Sequence, residues 1–186
     1  MLPNPAGRFL SFIQKSFDRP WYLPFAAFLA GADLFIIIVP TDGLIVSYVL
    51  ARPRQWIRTA LLFSIGSVSG VIGLAWATAK WGDPFVRWLL GDTVGSQSWQ
   101  SAEAFVSSWG GVSLLLIGAS PFPLQPPVAL CALSHLPLAE IAIWTAAGRL
   151  IKFFGLAWVS SKAPYLLSRI KGLRDEVEEV SNARKD

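Results

Sequence analysis

Residues 59–79 read TALLFSIGSVSGVIGLAWATA, 21 residues without a charge, closed by Lys80 and Trp81. Crossing about 30 Å of hydrocarbon at 1.5 Å per residue takes about 20 apolar residues in a helix, so this stretch is long enough to span a membrane. Within it Gly66, Gly70 and Gly73 alternate with Ser64, Ser67 and Ser69 at spacings of three and four. Small residues at those spacings let a second helix approach closely in lipid. A second candidate span, residues 141–161 (IAIWTAAGRLIKFFGLAWVSS), carries Arg149 and Lys152 near its middle. The rest of the chain agrees with this solvent. Of 186 residues 53% are apolar and 15% charged, with nine tryptophans and a mean hydropathy of +0.49. Soluble domains carry about 25% charged residues. Cys131 is the only cysteine and His135 the only histidine, which excludes a disulfide scaffold and a Cys/His zinc site.

Two further apolar regions are broken. Residues 21–51 would run to about 46 Å as one helix, longer than one crossing, and are interrupted at Pro40, Thr41, Asp42 and Gly43. Residues 110–134 are cut by Pro121, Pro123, Pro126 and Pro127. Proline lacks an amide donor and clashes with the preceding turn, so these stretches predict pairs of half-length helices. Two half-length helices around a proline turn describe a re-entrant hairpin that returns to its own side; the competing arrangement, in which each broken region spans fully, would put Arg52, Arg54 and Arg58 opposite the N-terminus. Irregular backbone at membrane depth survives only against protein or a water-filled cavity.

Shifting the chain by 82 positions aligns Gly-Leu-Ala-Trp at 73–76 with the same residues at 155–158, Gly66 with Gly148, and Pro40 with Phe122 between its flanking prolines. The expected fold is therefore an all-α integral membrane protein with an inverted repeat. Each half holds an interfacial helix, a re-entrant helical hairpin and one transmembrane helix. An N-terminal interfacial helix (1–20) leads into a membrane domain (21–162), with repeats over about 21–82 and 97–162 and hairpins over about 21–51 and 110–134. Residues 163–186 form an amphipathic tail. Residues 99–109 are expected to be the surface helix of the second copy. If residues 1–20, 52–58 and 162–186 are cytoplasmic they hold twelve Lys and Arg, against Lys80 and Arg87 outside. That asymmetry places both termini in the cytoplasm. Two spans bury little surface, so a homo-oligomer is expected.

The ionisable residues inside the membrane segments are Asp33, Asp42, Arg149 and Lys152. Each costs roughly 2.5–3.5 kcal/mol at a helix centre unless it meets a partner or water. In one reading Asp42 caps a half-helix and the acids and bases neutralise one another. In the other, Asp33 and Asp42 exchange protons while Arg149 and Lys152 receive an anionic headgroup, with Ser120 and Gln125 as hydrogen-bond donors. Plain turn chemistry is an equal account of Ser120 and Gln125.

Pro40-Thr41-Asp42, Pro121-Phe122-Pro123 and Gly148-Arg149-Leu150-Ile151-Lys152-Phe153 together resemble the DedA superfamily of membrane proteins, also called the VTT or SNARE-associated family, and its compact YqaA-like branch. The likeness covers about residues 20–165. It implies the re-entrant, inverted-repeat fold and lipid translocation in a bacterial cytoplasmic membrane. The lipid would be undecaprenyl phosphate or a phospholipid, with coupling to proton motive force. The family's acid at the first hairpin maps to Asp42, and its basic pair after the glycine maps to Arg149 and Lys152. The chain departs from the family at Ser120 and Gln125, where many members carry arginines, and at Asp33, which stands for a glutamate. The likeness thus speaks for the fold more than for undecaprenyl phosphate itself.

The expected function is a lipid translocase of flippase or scramblase type with no enzymatic step. Its partners are the lipid substrate and the bilayer, with no nucleic acid, cofactor or metal. The alternatives are a proton- or ion-coupled small-solute transporter or channel, and a membrane assembly factor that transports nothing.

Overall fold

The computed structural model describes residues 19, 21–35 and 41–183. Among them every regular element is helical: α1 (Tyr22–Ala32), α2 (Thr41–Ala51), a 3-10 turn (Pro53–Gln55), α3 (Trp56–Leu90), a second 3-10 turn (Gly91–Thr93), α4 (Gln97–Trp109), α5 (Val112–Ala119), α6 (Gln125–Leu133) and α7 (Leu138–Ala183). The expected interfacial helix at 1–20, apart from Arg19, and Pro40 lie outside the described residues.

Two segments, Pro53–Thr93 and Leu138–Ala163, are long and apolar enough to cross a membrane. The first bends at Gly82, whose φ of 65° and ψ of −151° leave the helical region. A side chain rarely adopts a positive φ, so glycine suits this corner. Pro84 follows in the first turn of the next leg, where an amide donor has no helical partner to lose. The expected span at 59–79 falls inside the straight leg, and residues 83–90 add a short helix that the hydropathy pattern did not single out. α7 runs through residue 163 to Ala183 without interruption, so the tail continues the second long helix rather than starting a separate one.

The second break is narrower than the proline run suggested. It occupies residues 120–124, and Pro126 and Pro127 lie buried in the first turn of α6. The first amides of a helix are unpaired in any case, so proline at these positions starts a helix instead of ending one.

Close backbone contacts fix where each broken region meets a long helix. Gly31 of α1 lies on Gly66 and Gly70 of α3, and Gly66 faces the Ala27 carbonyl. In the same way Gly148 of α7 lies on Leu115, Gly118 and Ala119 of α5. Gly66 and Gly148 each stand near the middle of the apolar part of their long helices, so α1 and α5 both end against the middle of those parts. The other ends of α1 and α5 lie near the starts of the same long helices. The Tyr22 ring stacks on Tyr48, with centroids 5.6 Å apart and planes 9° from parallel. The Tyr48 hydroxyl donates to Gln55 Oε1 at 3.1 Å. The start of α1, the end of α2 and the start of α3 are thereby gathered together. In the second half Gly111 sits against Trp144 and Glu140, near the start of α7, and α6 ends four residues before α7 begins.

Partners are exchanged symmetrically. α1 packs on α3 and α5 on α7, whereas α2 packs chiefly on α7 and α6 on α3, with α3 against α7 at the centre. Each end accordingly has its own core. Ile45, Val49, Phe63, Phe153 and Ala157 fill one; Val71, Leu74, Leu114, Val128 and Ile141 fill the other. The outside is also apolar: Ile57, Leu61, Ile65, Ile72 and Trp76 on α3, and Ile143, Leu150, Ile151 and Trp158 on α7, are at least a third exposed. Apolar side chains in such long exposed rows are compatible with lipid contact.

The offset of 82 holds for the starts of the two long helices, since α3 begins at Trp56 and α7 at Leu138. Ahead of the breaks it changes: Gly66 meets Ala27 and Gly148 meets Leu115, 88 residues apart.

Candidate functional site

Asp42 is the second residue of α2, in a first turn whose free amides favour a carboxylate. Because the start of α2 packs near the middle of the apolar part of α7 (Leu138–Ala163), this carboxylate meets the basic pair there. Asp42 Oδ2 accepts from Lys152 Nζ at 2.9 Å. The two partners are unevenly buried: the Lys152 side chain is 10% exposed and that of Asp42 43%. The cation is thus the sheltered member and the carboxylate stands toward an opening, although its Oδ1 is buried and has no hydrogen-bond partner among the described residues.

Arg149 precedes Lys152 by three residues on the same face of α7. Its guanidinium lies 5.6 Å from the centre of the Phe153 ring, and Lys152 Nζ lies 5.9 Å from it. Phe153 is 1% exposed and meets Phe63 edge-on at 6.0 Å, so one fixed ring carries both cations. The negative face of an aromatic ring favours a cation in a dry setting. Arg149 Nε is buried with no hydrogen-bond partner among the described residues. Asp42 and, more weakly, Asp33 act electrostatically on Arg149. Asp33, just beyond the end of α1, therefore belongs to the same cluster.

The second break reaches this cluster through Gln125, which is 6% exposed. Its Nε2 donates to the backbone carbonyl of Asp33 in a long hydrogen bond of 3.4 Å. Gln125 therefore joins the two breaks. Ser120 does not join them. Its hydroxyl donates to the Ile117 carbonyl at 2.7 Å and accepts from the Phe122 amide at 3.3 Å, so its one proton is used in closing the turn. Of the break residues, Thr41 opens α2 half-buried and Gly43 is exposed, as are Pro121 and Pro123. Between these prolines Phe122 projects, 69% exposed.

The structure thus brings Asp33, Asp42, Arg149, Lys152 and Gln125 to one place, made from α1, α2, α6 and α7. It leaves Ser120 to its own turn. Two features had escaped the sequence reading. One is Phe153 beneath the cations. The other is Thr145, fully buried, whose Oγ1 has no hydrogen-bond partner among the described residues. Thr145, Arg149 and Lys152 follow an i, i+4, i+7 spacing, the signal by which Thr145 was legible. No group of three His, Cys, Asp or Glu among the described residues could hold a metal ion. Cys131 is a free, buried thiol. No known protein family, no characterised protein and no solved structure matches the chain.

Proposed function

We propose that the chain is an integral membrane protein of two inverted halves, and that it moves an anionic, phosphate-headed lipid between leaflets. The observation that carries this reading is the cluster at mid-length of the two candidate spans. There both chain breaks meet beside two sheltered cations, and Asp42 is in direct contact with Lys152. A cation pair at that depth is expensive unless it serves an anion or a counter-charge. A phosphate oxygen offers both Arg149 and Lys152 a charge-assisted hydrogen bond. When the headgroup arrives, Lys152 leaves Asp42 for the phosphate, and Asp42, freed from its cation, takes a proton. This exchange couples protons to transport without a covalent step, and no cofactor enters it. The acyl chains remain in lipid, beside the exposed apolar rows of α3 and α7.

The symmetrical exchange of helix partners supports the inverted repeat. The endings of α1 and α5 against the middle of the apolar parts of the long helices, with their other ends near the starts of those helices, support re-entrant hairpins. In this reading Arg52, Arg54, Arg58 and Lys162 face the cytoplasm, both termini lie there, and the host is a bacterial inner membrane. The motif likeness to the DedA superfamily points to the same activity, and the exposed apolar rows leave room for a second copy.

Reconstitution into liposomes tests it. Wild-type protein is expected to move labelled anionic phospholipid between leaflets, and Arg149→Ala and Asp42→Asn to lose most of that exchange. Solute or proton flux without lipid exchange would instead favour a solute transporter, and full activity in both variants would remove the cluster from the mechanism.

A further inference from the structure

A cavity of about 330 Å³ lies away from the charge cluster, between α4, the α4–α5 link and α6, at the end of the molecule where α7 begins. Val106, Leu130 and Leu136 form apolar walls, Cys131 and Ser134 add a thiol and a hydroxyl, and Glu103 is the one charged residue in its lining. Small-molecule sites are commonly of about 300–1,000 Å³, apolar with a few polar groups that fix orientation, and this cavity stands at the small end of that range. At about 30 Å³ for a water-sized group, it holds about eleven such groups. That is room for a headgroup and its first few carbons, and too little for a two-chain lipid.

The charge of this end narrows the ligand. Residues 80–140 carry Asp83, Asp92, Glu103 and Glu140 against Lys80 and Arg87. Both cations are engaged: Arg87 Nε pairs with Asp83 at 2.9 Å, and Lys80 Nζ lies 5.1 and 5.6 Å from the Trp76 and Trp81 rings. Glu103, on the exposed side of α4, forms no ion pair with a described residue. An anion entering the cavity would meet this carboxylate with no cation to offset it, whereas an ammonium group would pair with it while its alkyl stem covers Val106, Leu130 and Leu136.

We propose that this cavity is a binding site for single-chain amphiphiles with a cationic ammonium head, with Glu103 as the residue that selects the charge. The site is independent of the lipid path through Arg149 and Lys152.

The test uses the full chain in nanodiscs of zwitterionic lipid and a dodecylammonium probe with a photoreactive diazirine near its head. Cross-links mapped by mass spectrometry are expected to cluster at Val106 and at residues 130–136. Plain dodecylammonium should compete and dodecyl sulfate should not. Glu103→Gln should weaken competition about two- to five-fold, the range of a partly exposed ion pair, and Glu103→Asp should retain it. Leu130→Trp, which fills the cavity, should remove the cross-links while Glu103 is still present. Cross-links spread evenly over α3 and α7, equal competition by dodecyl sulfate, or an unchanged Glu103→Gln protein would each overturn the proposal. Lipid exchange is read separately, so the outcome here is distinct from that of the translocation experiment.

Discussion

The same substitution made at two glycines of α7, seven residues apart, should have opposite effects. At Gly148 a β-carbon would stand 2.5 Å from the Leu115 carbonyl oxygen and 3.1 Å from the Ala119 nitrogen. Both are backbone atoms, so α5 itself must withdraw by about half an ångström or more, an overpacking that costs about 1–3 kcal/mol. Alanine returns about 1 kcal/mol of helix propensity, leaving Gly148→Ala between neutral and about 2 kcal/mol destabilised. Gly155 has nothing within 4 Å of its β-position. Gly155→Ala should therefore keep the propensity gain and be up to about 1 kcal/mol more stable than wild type. The two variants should differ by about 1–3 kcal/mol, the clash alone, since the propensity term is common to both. Equilibrium unfolding of the purified protein in mixed micelles, titrated with a denaturing detergent, measures the difference. A Gly148→Ala protein as stable as Gly155→Ala would refute the close approach of α5 to α7. Because Arg149 is the next residue, Gly148→Ala should also lower lipid exchange while Gly155→Ala leaves it unchanged.

Asp42→Asn leaves Lys152 sheltered without its counter-charge and should destabilise by about 1–3 kcal/mol, less than a fully buried pair because Asp42 is partly open; Asp42→Asn with Lys152→Met should recover most of that loss in the same titration. Gln125→Met removes the hydrogen bond between the two breaks at nearly constant volume, and unfolding should register about 0.5–1.5 kcal/mol. Tyr48→Phe loses the bond to Gln55 and should cost a similar amount, about 1 kcal/mol, with exchange activity intact. In a Cys131→Ser background, a membrane-impermeant thiol reagent added outside spheroplasts should modify Ser108→Cys but neither Arg54→Cys nor Lys162→Cys; labelling of Arg54→Cys from the outside would defeat the re-entrant arrangement.

Much of the architecture is written in local chemistry. A charge-free run of 21 residues is long and apolar enough to cross a membrane as one helix, and it lies within the straight leg of α3. The breaks were legible as regions because proline disrupts a helix by sterics and a missing donor that do not depend on tertiary contacts, but the first was misplaced: Thr41, Asp42 and Gly43, expected to interrupt a helix, form the first turn of α2. The offset of 82 was legible from a four-residue match and holds for both long helices. Where local chemistry misled, the cause was position within a helix: Pro126 and Pro127 break a helix interior but suit the first turn of α6.

Tertiary structure alone decided the partners. α1, α2 and α6 are apolar nearly all round, so no polar face marks which side packs, and the sequence cannot distinguish α2 on its own span from α2 on α7. That crossing decides the site: it brings Asp42 to Lys152 across 110 residues of chain and seats both cations over Phe153. The acids, bases and glycines were visible as residue types because they are costly or permissive wherever they stand. Which acid met which base depended on contacts between helices far apart in sequence, and no period within a single helix encodes them.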